Sequence, residues 1–206
     1  MNFESLGLSI EVQQALTAAG YQMPTPVQSK TIPAILKGDD VLVAAQTGTG
    51  KTAGFVAPML DILNNAAAPT ANHVKGLILS PTRELAVQLH QAIIDYGRYS
   101  GLRSAVVFGG VKINPQMMSL RKGVHLLVAT PGRLLDLQRQ NAIAFDQLKI
   151  FVLDEADKLM SLGFREEINQ LLDILPRKRQ TLMFSATLSP EIKKLAKTVL
   201  HAPVGI

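Results

Sequence analysis

Short apolar runs alternate with longer amphipathic segments along most of the chain, and no other sequence feature constrains the fold as strongly. The apolar runs have four to six residues, are rich in Val, Ile, Leu and Phe, and are apolar on both faces. Such runs are typical of strands that are buried in a parallel sheet. They occupy residues 41–45, 76–80, 105–108, 125–130, 150–154 and 181–185.

The segments between these runs have the period of amphipathic helices. They occupy residues 52–63, 83–99, 132–139, 164–175 and 190–200. In the second of them, Leu85, Leu89 and Ile93 fall on one side. A strand–helix–strand alternation over 206 residues predicts one α/β domain, with an open, mostly parallel sheet and helices on both faces. In such sheets the functional groups lie at the carboxyl ends of the strands.

The composition excludes several classes of protein. The chain has no cysteine, which removes disulfide frameworks, thiolate metal sites and thiol catalysis. It has no apolar stretch of 18 residues, and its N-terminus lacks the basic region and apolar core of a signal peptide. We therefore expect a cytoplasmic protein with no membrane partner. The net charge of +5 favours a polyanionic partner such as nucleic acid.

The first apolar run ends in a sequence typical of a phosphate-binding loop that opens a helix. This sequence is Ala45-Gln46-Thr47-Gly48-Thr49-Gly50-Lys51-Thr52. We expect the loop amides to surround the phosphates of a nucleoside triphosphate, with Lys51 at the β- and γ-phosphates and the Thr52 hydroxyl on Mg²⁺. Ala45 stands where the strict pattern has glycine.

A pair of carboxylates, Asp154 and Glu155, lies at the end of the apolar run 150–154. Asp154 suits the ligand shell of Mg²⁺, partly through water, and Glu155 suits the base that orients and deprotonates an attacking water. Since neighbouring residues of a strand point to opposite sides, both roles require the strand to end at this point. The alternative is an acidic loop at the start of a helix, where the helix dipole favours negative charge.

Further short motifs accompany these two along the chain. They are Phe3, Gly20-Tyr21, Pro24-Thr25-Pro26 and Gln28, then Pro81-Thr82-Arg83-Glu84-Leu85-Ala86, Gly109-Gly110, Thr130-Pro131-Gly132-Arg133, Asp157 after the carboxylate pair, and Ser185-Ala186-Thr187. The set resembles the DEAD-box ATP-dependent RNA helicases over essentially the whole chain, and Ala45 is normal in that family. The opening residues 1–9 are most similar to the bacterial RhlE-type branch.

The resemblance implies a RecA-like nucleotide-binding domain that uses ATP and Mg²⁺. It implies that Gln28 pairs with the adenine edge, and that Phe3 and Tyr21 flank the base. It also assigns residues 45–52 to nucleotide binding and Lys51, Asp154 and Glu155 to catalysis. Simpler interpretations remain open, since Thr25 can cap a helix with Pro26 at its first position, and Phe3 can be a packing residue.

The resemblance also implies that RNA binds through its sugar–phosphate backbone, independently of sequence. The implied contact residues are Pro81, Thr82, Arg83, Gly109, Gly110, Thr130, Pro131, Gly132 and Arg133. The helix after Arg133 would then bend the strand. Binding of this kind is sensitive to salt. Taken singly, each of these motifs is weak, and a capped helix start is its commoner meaning.

Asp157, Ser185 and Thr187 form the set that the resemblance assigns to coupling between hydrolysis and strand opening. The Ser185 and Thr187 hydroxyls can hydrogen-bond the Asp157 carboxylate if the two strand ends are neighbours. An alternative is that Thr187 caps the helix that follows it.

The resemblance divides the chain into a Q-motif region at residues 1–28, a RecA-like ATP-binding domain at 29–200, and the start of an interdomain linker at 201–206. A second RecA-like domain, which would carry the arginine finger, has no counterpart in the sequence. We expect this domain alone to bind adenine nucleotide and RNA weakly, to hydrolyse ATP slowly, and not to unwind duplexes. A separate RNA-binding module with ATP as a ligand, or a DNA helicase, are the alternatives.

Overall fold

A computed structural model describes residues 2–206 of the chain. Met1, which belongs to the predicted region 1–28, lies outside the described residues.

Within that range, seven strands form one sheet, and each pairing between neighbours is parallel. The strands are β1 (Val41–Ala44), β2 (Val74–Leu79), β3 (Ser104–Val107), β4 (Val124–Ala129), β5 (Ile150–Leu153), β6 (Gln180–Ser185) and β7 (Val204–Gly205). Their order across the sheet is β3-β4-β2-β5-β6-β1-β7. Because the strands are parallel, their carboxyl ends lie along one edge.

Helices cover both faces of this sheet. They are α1 (Ile10–Ala18), α2 (Pro26–Leu36), α3 (Lys51–Asn64), α4 (Arg83–Tyr96), α5 (Ile113–Leu120), α6 (Pro131–Arg139), α7 (Ala156–Ser161), α8 (Arg165–Ile174) and α9 (Pro190–Val199), with a 3₁₀ turn at Glu4–Leu6. Helices α1 to α4 contribute to one apolar cluster, and α5 to α9 contribute to the other. The predicted α/β class is confirmed, and the sheet is parallel throughout.

The strand β5 illustrates why the apolar runs are apolar on both faces. Phe151 and Leu153 pack into the cluster with α5 to α9, whereas Ile150 and Val152 pack into the cluster with α1 to α4. All four residues are buried. Alternate side chains of one strand therefore enter two different cores, which leaves no exposed face for polar residues.

Several helices begin as their first residues predict. The Thr25 hydroxyl accepts a hydrogen bond from Gln28 N, and Pro26 is the first residue of α2. Pro131 likewise opens α6. The prediction that Thr187 caps the last helix is wrong, because the N-cap of α9 is Ser189, whose hydroxyl accepts from Ile192 N.

Five elements of residues 2–206 lie outside the apolar runs and amphipathic segments of the sequence: α1, α2, α5, α7 and β7. The strand β7 has two residues and pairs with β1 in register Val41↔Val204. Residues 204–205, in the segment predicted to begin an interdomain linker, therefore extend the sheet beyond β1.

The candidate nucleotide- and RNA-binding edge of the sheet

The loop between β1 and α3 has the backbone of a phosphate-binding turn. Gly48 and Gly50 both have a φ of +83°, and Lys51 is the first residue of α3. Lys51 is nearly buried as a residue, and its ammonium group donates to the Ala45 carbonyl at 2.7 Å. The loop thus closes on its own lysine, at the N-terminus of a 14-residue helix whose dipole favours an anion.

Gly50 is required by a close neighbour as well as by its φ. A Cβ at this position would lie 2.5 Å from Gln28 Nε2. Gln28 is fully buried, its Nε2 donates to the Gly50 carbonyl at 3.0 Å, and its Oε1 accepts from Thr25 N at 2.9 Å. The Thr25 hydroxyl in turn donates to the Thr49 carbonyl. The start of α2 therefore supports the phosphate loop, and the pairing of Gln28 with adenine stays a prediction.

The two aromatic residues of the Q-motif region lie side by side. Phe3 is buried in the core, as the packing alternative requires, and its ring meets that of Tyr21 edge-on at 6.4 Å. The half-buried Tyr21 hydroxyl is 2.9 Å from the Tyr96 hydroxyl, and burial together with this hydrogen bond raises the pKa of Tyr96. Their predicted contacts with the base stay predictions.

Asp154 and Glu155 lie beyond the end of a strand, as the two predicted roles require. The strand β5 ends at Leu153, and Glu155 has a φ of +49° before α7 begins. Asp154 is 9% exposed, and burial, followed by the charge of Glu155, raises its pKa to about 6, against the opposing effect of Lys51. The turn therefore separates a buried carboxylate from a more exposed one.

The Glu155 carboxylate has a partner that sequence analysis missed. Lys158 Nζ donates to Glu155 Oε2 at 2.6 Å, one helical turn along α7, and this hydrogen bond raises the pKa of Lys158. The spacing of three residues on a helix was the available signal, but the sequence alone does not reveal which way Glu155 turns.

Two neighbouring hollows connect these groups. One, of about 470 Å³, is lined by Lys51, Thr52, Asp154 and Glu155 and extends to Tyr21. The other, of about 450 Å³, shares Lys51 and Glu155 and extends to Thr187. The first hollow thus combines a buried carboxylate, a hydroxyl and an ammonium group. This donor set fits a hard divalent cation with phosphate oxygens, since a cation beside Asp154 would compensate for its lost hydration.

The ends of β5 and β6 meet in the way that was predicted for Thr187. Its hydroxyl donates to Asp157 Oδ2 at 3.4 Å. Ser185 does not join this contact, because its buried hydroxyl donates to the Thr187 carbonyl at 2.8 Å. One hydroxyl therefore links the two strand ends, and the other holds the loop that presents it.

The motifs predicted to contact RNA lie along the other half of the edge, after β2, β3 and β4. Arg83 is exposed, and its guanidinium lies 4.8 Å from the centre of the Phe108 ring. Gly109 and Gly110 are exposed, and Gly110 has a φ of +79°. Arg133 is half-buried and donates to Gln116 Oε1 at 2.9 Å and to the Val111 carbonyl at 2.8 Å.

The remaining predicted RNA contacts differ in accessibility. Thr82 and Gly132 are half-buried, whereas the side chains of Pro81, Thr130 and Pro131 are nearly covered. Thr82 caps α4 by accepting from Leu85 N. These covered residues therefore shape the backbone at two helix starts, which is the simpler interpretation of their motifs.

In residues 2–206, no helix is both long and apolar enough to cross a bilayer.

Comparison with known proteins identifies the family. Residues 25–195 match the family model described as DEAD/DEAH box helicase. The chain is 42% identical over 206 residues to a probable ATP-dependent RNA helicase of Dictyostelium discoideum, ddx27. This alignment covers 99% of the chain and 26% of that protein. The chain is also 40% identical to the DEAD-box ATP-dependent RNA helicase RhpA of Helicobacter pylori, over 100% of this chain and 41% of that protein.

The fold has a close counterpart among solved structures. The crystal structure of a DEAD box protein from the hyperthermophile Methanococcus jannaschii superimposes with a TM-score of 0.92 at 34% identity, over 100% of this chain and 55% of that one. The chain thus spans less than half the length of the curated relatives described above. Those relatives come from a bacterium and a eukaryote, so they do not select the RhlE-type branch. The chain is a RecA-like domain that belongs to the DEAD/DEAH box helicase family.

Proposed function

We propose that this chain is the N-terminal ATP-binding domain of an ATP-dependent RNA helicase that couples ATP binding and hydrolysis to local opening of RNA duplexes. The observation that carries the proposal is the hollow shared by Lys51, Thr52, Asp154 and Glu155 in a chain of this family. Three strand ends bring these residues together with the Thr187–Asp157 contact. The relatives' names support the same activity.

In this proposal, residues 45–52 bind the triphosphate, with Lys51 leaving the Ala45 carbonyl for the β- and γ-phosphates. Thr52 and Asp154 would hold Mg²⁺, which supplies charge neutralisation and orientation of the phosphates when it is bound. Adenine would lie towards Phe3, Tyr21 and Gln28. The hydrogen bonds from Gln28 and Thr25 to the phosphate loop support a coupling between the base site and the loop.

Glu155 acts as the general base for the attacking water. Its carboxylate lies at the shared wall of both hollows, and it would accept the proton that the water loses. Lys158, which lines the second hollow, donates a hydrogen bond to this carboxylate and thereby orients it. The set of Asp157, Ser185 and Thr187 would then couple ATP hydrolysis at the site to a change in the position of β6.

RNA would bind along the ends of β2, β3 and β4. Amides at the starts of α4 and α6, the glycine pair 109–110 and the Arg83 guanidinium offer donors to phosphate oxygens without reading bases. Duplex opening would need a second RecA-like domain that closes on this edge. We also propose that the protein belongs to the RhlE-type branch and acts in the cytoplasm.

Nucleotide binding is the first test. Titration calorimetry with ATP and MgCl₂ should give heat for the unmodified chain, and Lys51→Ala should weaken the affinity at least tenfold, because a charge-assisted contact to phosphate is lost. Lys197→Ala, on the exposed face of α9, is the matched control and should bind like the unmodified chain. Absence of heat with the unmodified chain would refute the proposal.

Hydrolysis tests the role of Glu155. Glu155→Gln should leave the ATP affinity within a few fold and lower turnover by about 10²–10⁴-fold, the usual contribution of a general base. Glu166→Gln, on the first turn of α8, is the control. An unchanged turnover of the Glu155 variant would show that another group takes the proton.

Competition between RNA and DNA oligonucleotides of equal length separates an RNA helicase from a DNA helicase.

A further inference from the structure

Gln116 is the hub of a small polar network beside the glycine pair. Its Oε1 accepts from Arg133 at 2.9 Å, and its Nε2 donates to the Phe108 carbonyl at 3.2 Å. Arg133 donates with its other terminal nitrogen to the Val111 carbonyl at 2.8 Å. The network therefore fixes the residue before Gly109-Gly110 and the residue after this pair.

The loop between these two anchors has little else to hold it. Gly109 and Gly110 are exposed, and no heavy atom lies within 4 Å of the position that a Cβ would take on either. Two consecutive glycines have more backbone freedom to lose than other residues. The following helix α5 has eight residues and no side-chain cap. The hydrogen bonds of Gln116 and Arg133 thus determine where the loop lies.

Arg133 is committed to this network. Both terminal nitrogens donate to protein acceptors, and its Nε is buried without a hydrogen-bond partner. On the other side of the loop, the Arg83 guanidinium packs on the Phe108 ring, whose carbonyl Gln116 holds. One amide side chain is therefore connected to three of the segments that face the RNA half of the edge.

We propose that Gln116 is a positioning residue of the RNA-binding surface, which holds Arg133 and the loop 108–111 so that the Gly109 and Gly110 backbone is presented to RNA phosphates. The inference rests on the function proposed above. Gln116 is needed because an amide can accept from the arginine and donate to a carbonyl with the same group. Neither a hydrocarbon nor a hydroxyl of shorter reach could do both.

The variants are chosen to separate position from stability. Gln116→Met keeps the length of the side chain and loses both hydrogen bonds. Gln116→Glu keeps the acceptor for Arg133 and loses the donor to Phe108. Asn114→Met, which replaces an exposed amide on the same helix, is the matched control.

Fluorescence anisotropy with a labelled single-stranded oligouridylate gives the first readout. We expect Gln116→Met to weaken RNA binding about 5- to 30-fold, by the loss of hydrogen bonds that include a charged donor. Gln116→Glu keeps only the contact with Arg133, so its RNA affinity should lie between those of Gln116→Met and the unmodified chain, whereas Asn114→Met should stay within about threefold of the unmodified chain. Affinity for ATP should be unchanged in all three, and the melting temperature should fall by no more than about 4 °C, the effect of losing about 1 kcal/mol in a domain of this size. The slope of affinity against salt should also stay constant for Gln116→Met, because no phosphate contact of a cation is removed.

Backbone ¹⁵N relaxation gives the second readout, and it requires no RNA. The order parameters of the Gly109 and Gly110 amides should fall below about 0.6 in Gln116→Met and stay high in the control. Unchanged order parameters, or RNA affinity equal to that of the unmodified chain, would overturn the inference. Joint loss of RNA binding, ATP binding and thermal stability would make Gln116 merely structural and would overturn it too. An unmodified chain that binds no RNA would refute the proposed function instead, and the order parameters would still test the loop.

Discussion

Asp154 lowers the stability of the fold at the position where we propose that it holds Mg²⁺. Its carboxylate is almost covered, so that the ionised form loses its hydration, and the neighbouring Glu155 adds repulsion. Both effects raise the pKa of Asp154 to about 6. An ordinary aspartate in the unfolded chain ionises near 3.8. Between these values the unfolded state releases its proton first, so the stability contributed at this site falls as the pH rises.

We predict that Asp154→Asn stabilises the protein in EDTA without nucleotide, by up to about 3 kcal/mol above pH 6, the free energy of a shift of about two pKa units. The gain should disappear towards pH 4, where the wild-type side chain is protonated in both states. Denaturant unfolding across this pH range measures it. The same variant should lose Mg²⁺-dependent ATP binding.

The control for this prediction is Asp173→Asn, since Asp173 is exposed on α8. It should change the unfolding free energy little at any pH. A gain in Asp154→Asn that is equally large at pH 4 and pH 8 would show that the replacement improves packing and that the ionisation of Asp154 carries no cost.

For single residues, the sequence predicts which ones carry the chemistry better than it predicts where their side chains point. The carboxylates after an apolar run, and the lysine after two glycines, announce their chemistry because those residue types have few other reasons to stand at a strand end. The hydrogen bonds from Lys158 to Glu155 and from Arg133 to Gln116 could not be predicted, because each depends on which of several rotamers the surrounding packing selects.

Helix α1 is attached to the phosphate-loop helix through its own N-cap. The Ser9 hydroxyl accepts from Val12 N and donates to the Asp61 carboxylate on α3, and Ser9 N donates to the same carboxylate at 2.7 Å. Asp61 is 6% exposed, and burial raises its pKa while the bonds from Ser9 oppose that rise. One serine thus caps a helix and satisfies a buried acid.

We predict that Ser9→Ala lowers the free energy of unfolding by about 2–3 kcal/mol. The loss of an N-cap costs about 1 kcal/mol, and a buried carboxylate oxygen left without a donor adds a similar or larger amount. Thermal or denaturant unfolding at neutral pH measures the sum.

Ser189→Ala provides the matched comparison, because Ser189 caps α9 in the same way, with its hydroxyl accepting from Ile192 N at 3.3 Å. We expect a loss of only about 1 kcal/mol there. Equal losses in the two variants would mean that the contact with Asp61 contributes nothing beyond the cap.

Element prediction succeeded where burial on two faces left no ambiguity, and it failed for elements that depend on their neighbours. Each of the strands β1 to β6 coincides with an apolar run to within a residue or two. The helix α1 buries only Val12, Ala15 and Leu16, which is too few for a clear pattern. The strand β7 has exposed residues, and pairing with the edge strand β1 is what makes it a strand.

The whole molecule is closed by contacts that join its first third to its last. Asp40, in the loop before β1, accepts from Thr181 N at 2.7 Å with one carboxylate oxygen and from His201 N at 2.7 Å with the other. Its carbonyl accepts from Val204 N, and Gln180 Nε2 donates to the Asp39 carbonyl. These bonds set the amino ends of β1 and β6 side by side and place β7 next to β1. The strand order follows from such distant contacts, so no local pattern could have revealed it.

We predict that Asp40→Ala lowers the free energy of unfolding by about 2–3 kcal/mol, since two backbone amides lose a charged acceptor and the side chain is only partly buried. Amide hydrogen exchange should accelerate at Thr181 and at residues 201–206 while the centre of the sheet stays protected. Asp40→Asn keeps one acceptor oxygen, so its free energy of unfolding and its exchange rates should lie between those of the unmodified chain and those of Asp40→Ala. If all three proteins exchange alike at these amides, then pairing along β1 alone holds the end of the chain, and Asp40 is dispensable to the closure. Faster exchange in Asp40→Ala would instead show that the Asp40 carboxylate, through its bonds to Thr181 N and His201 N, helps the backbone pairing with β1 to hold the last strand.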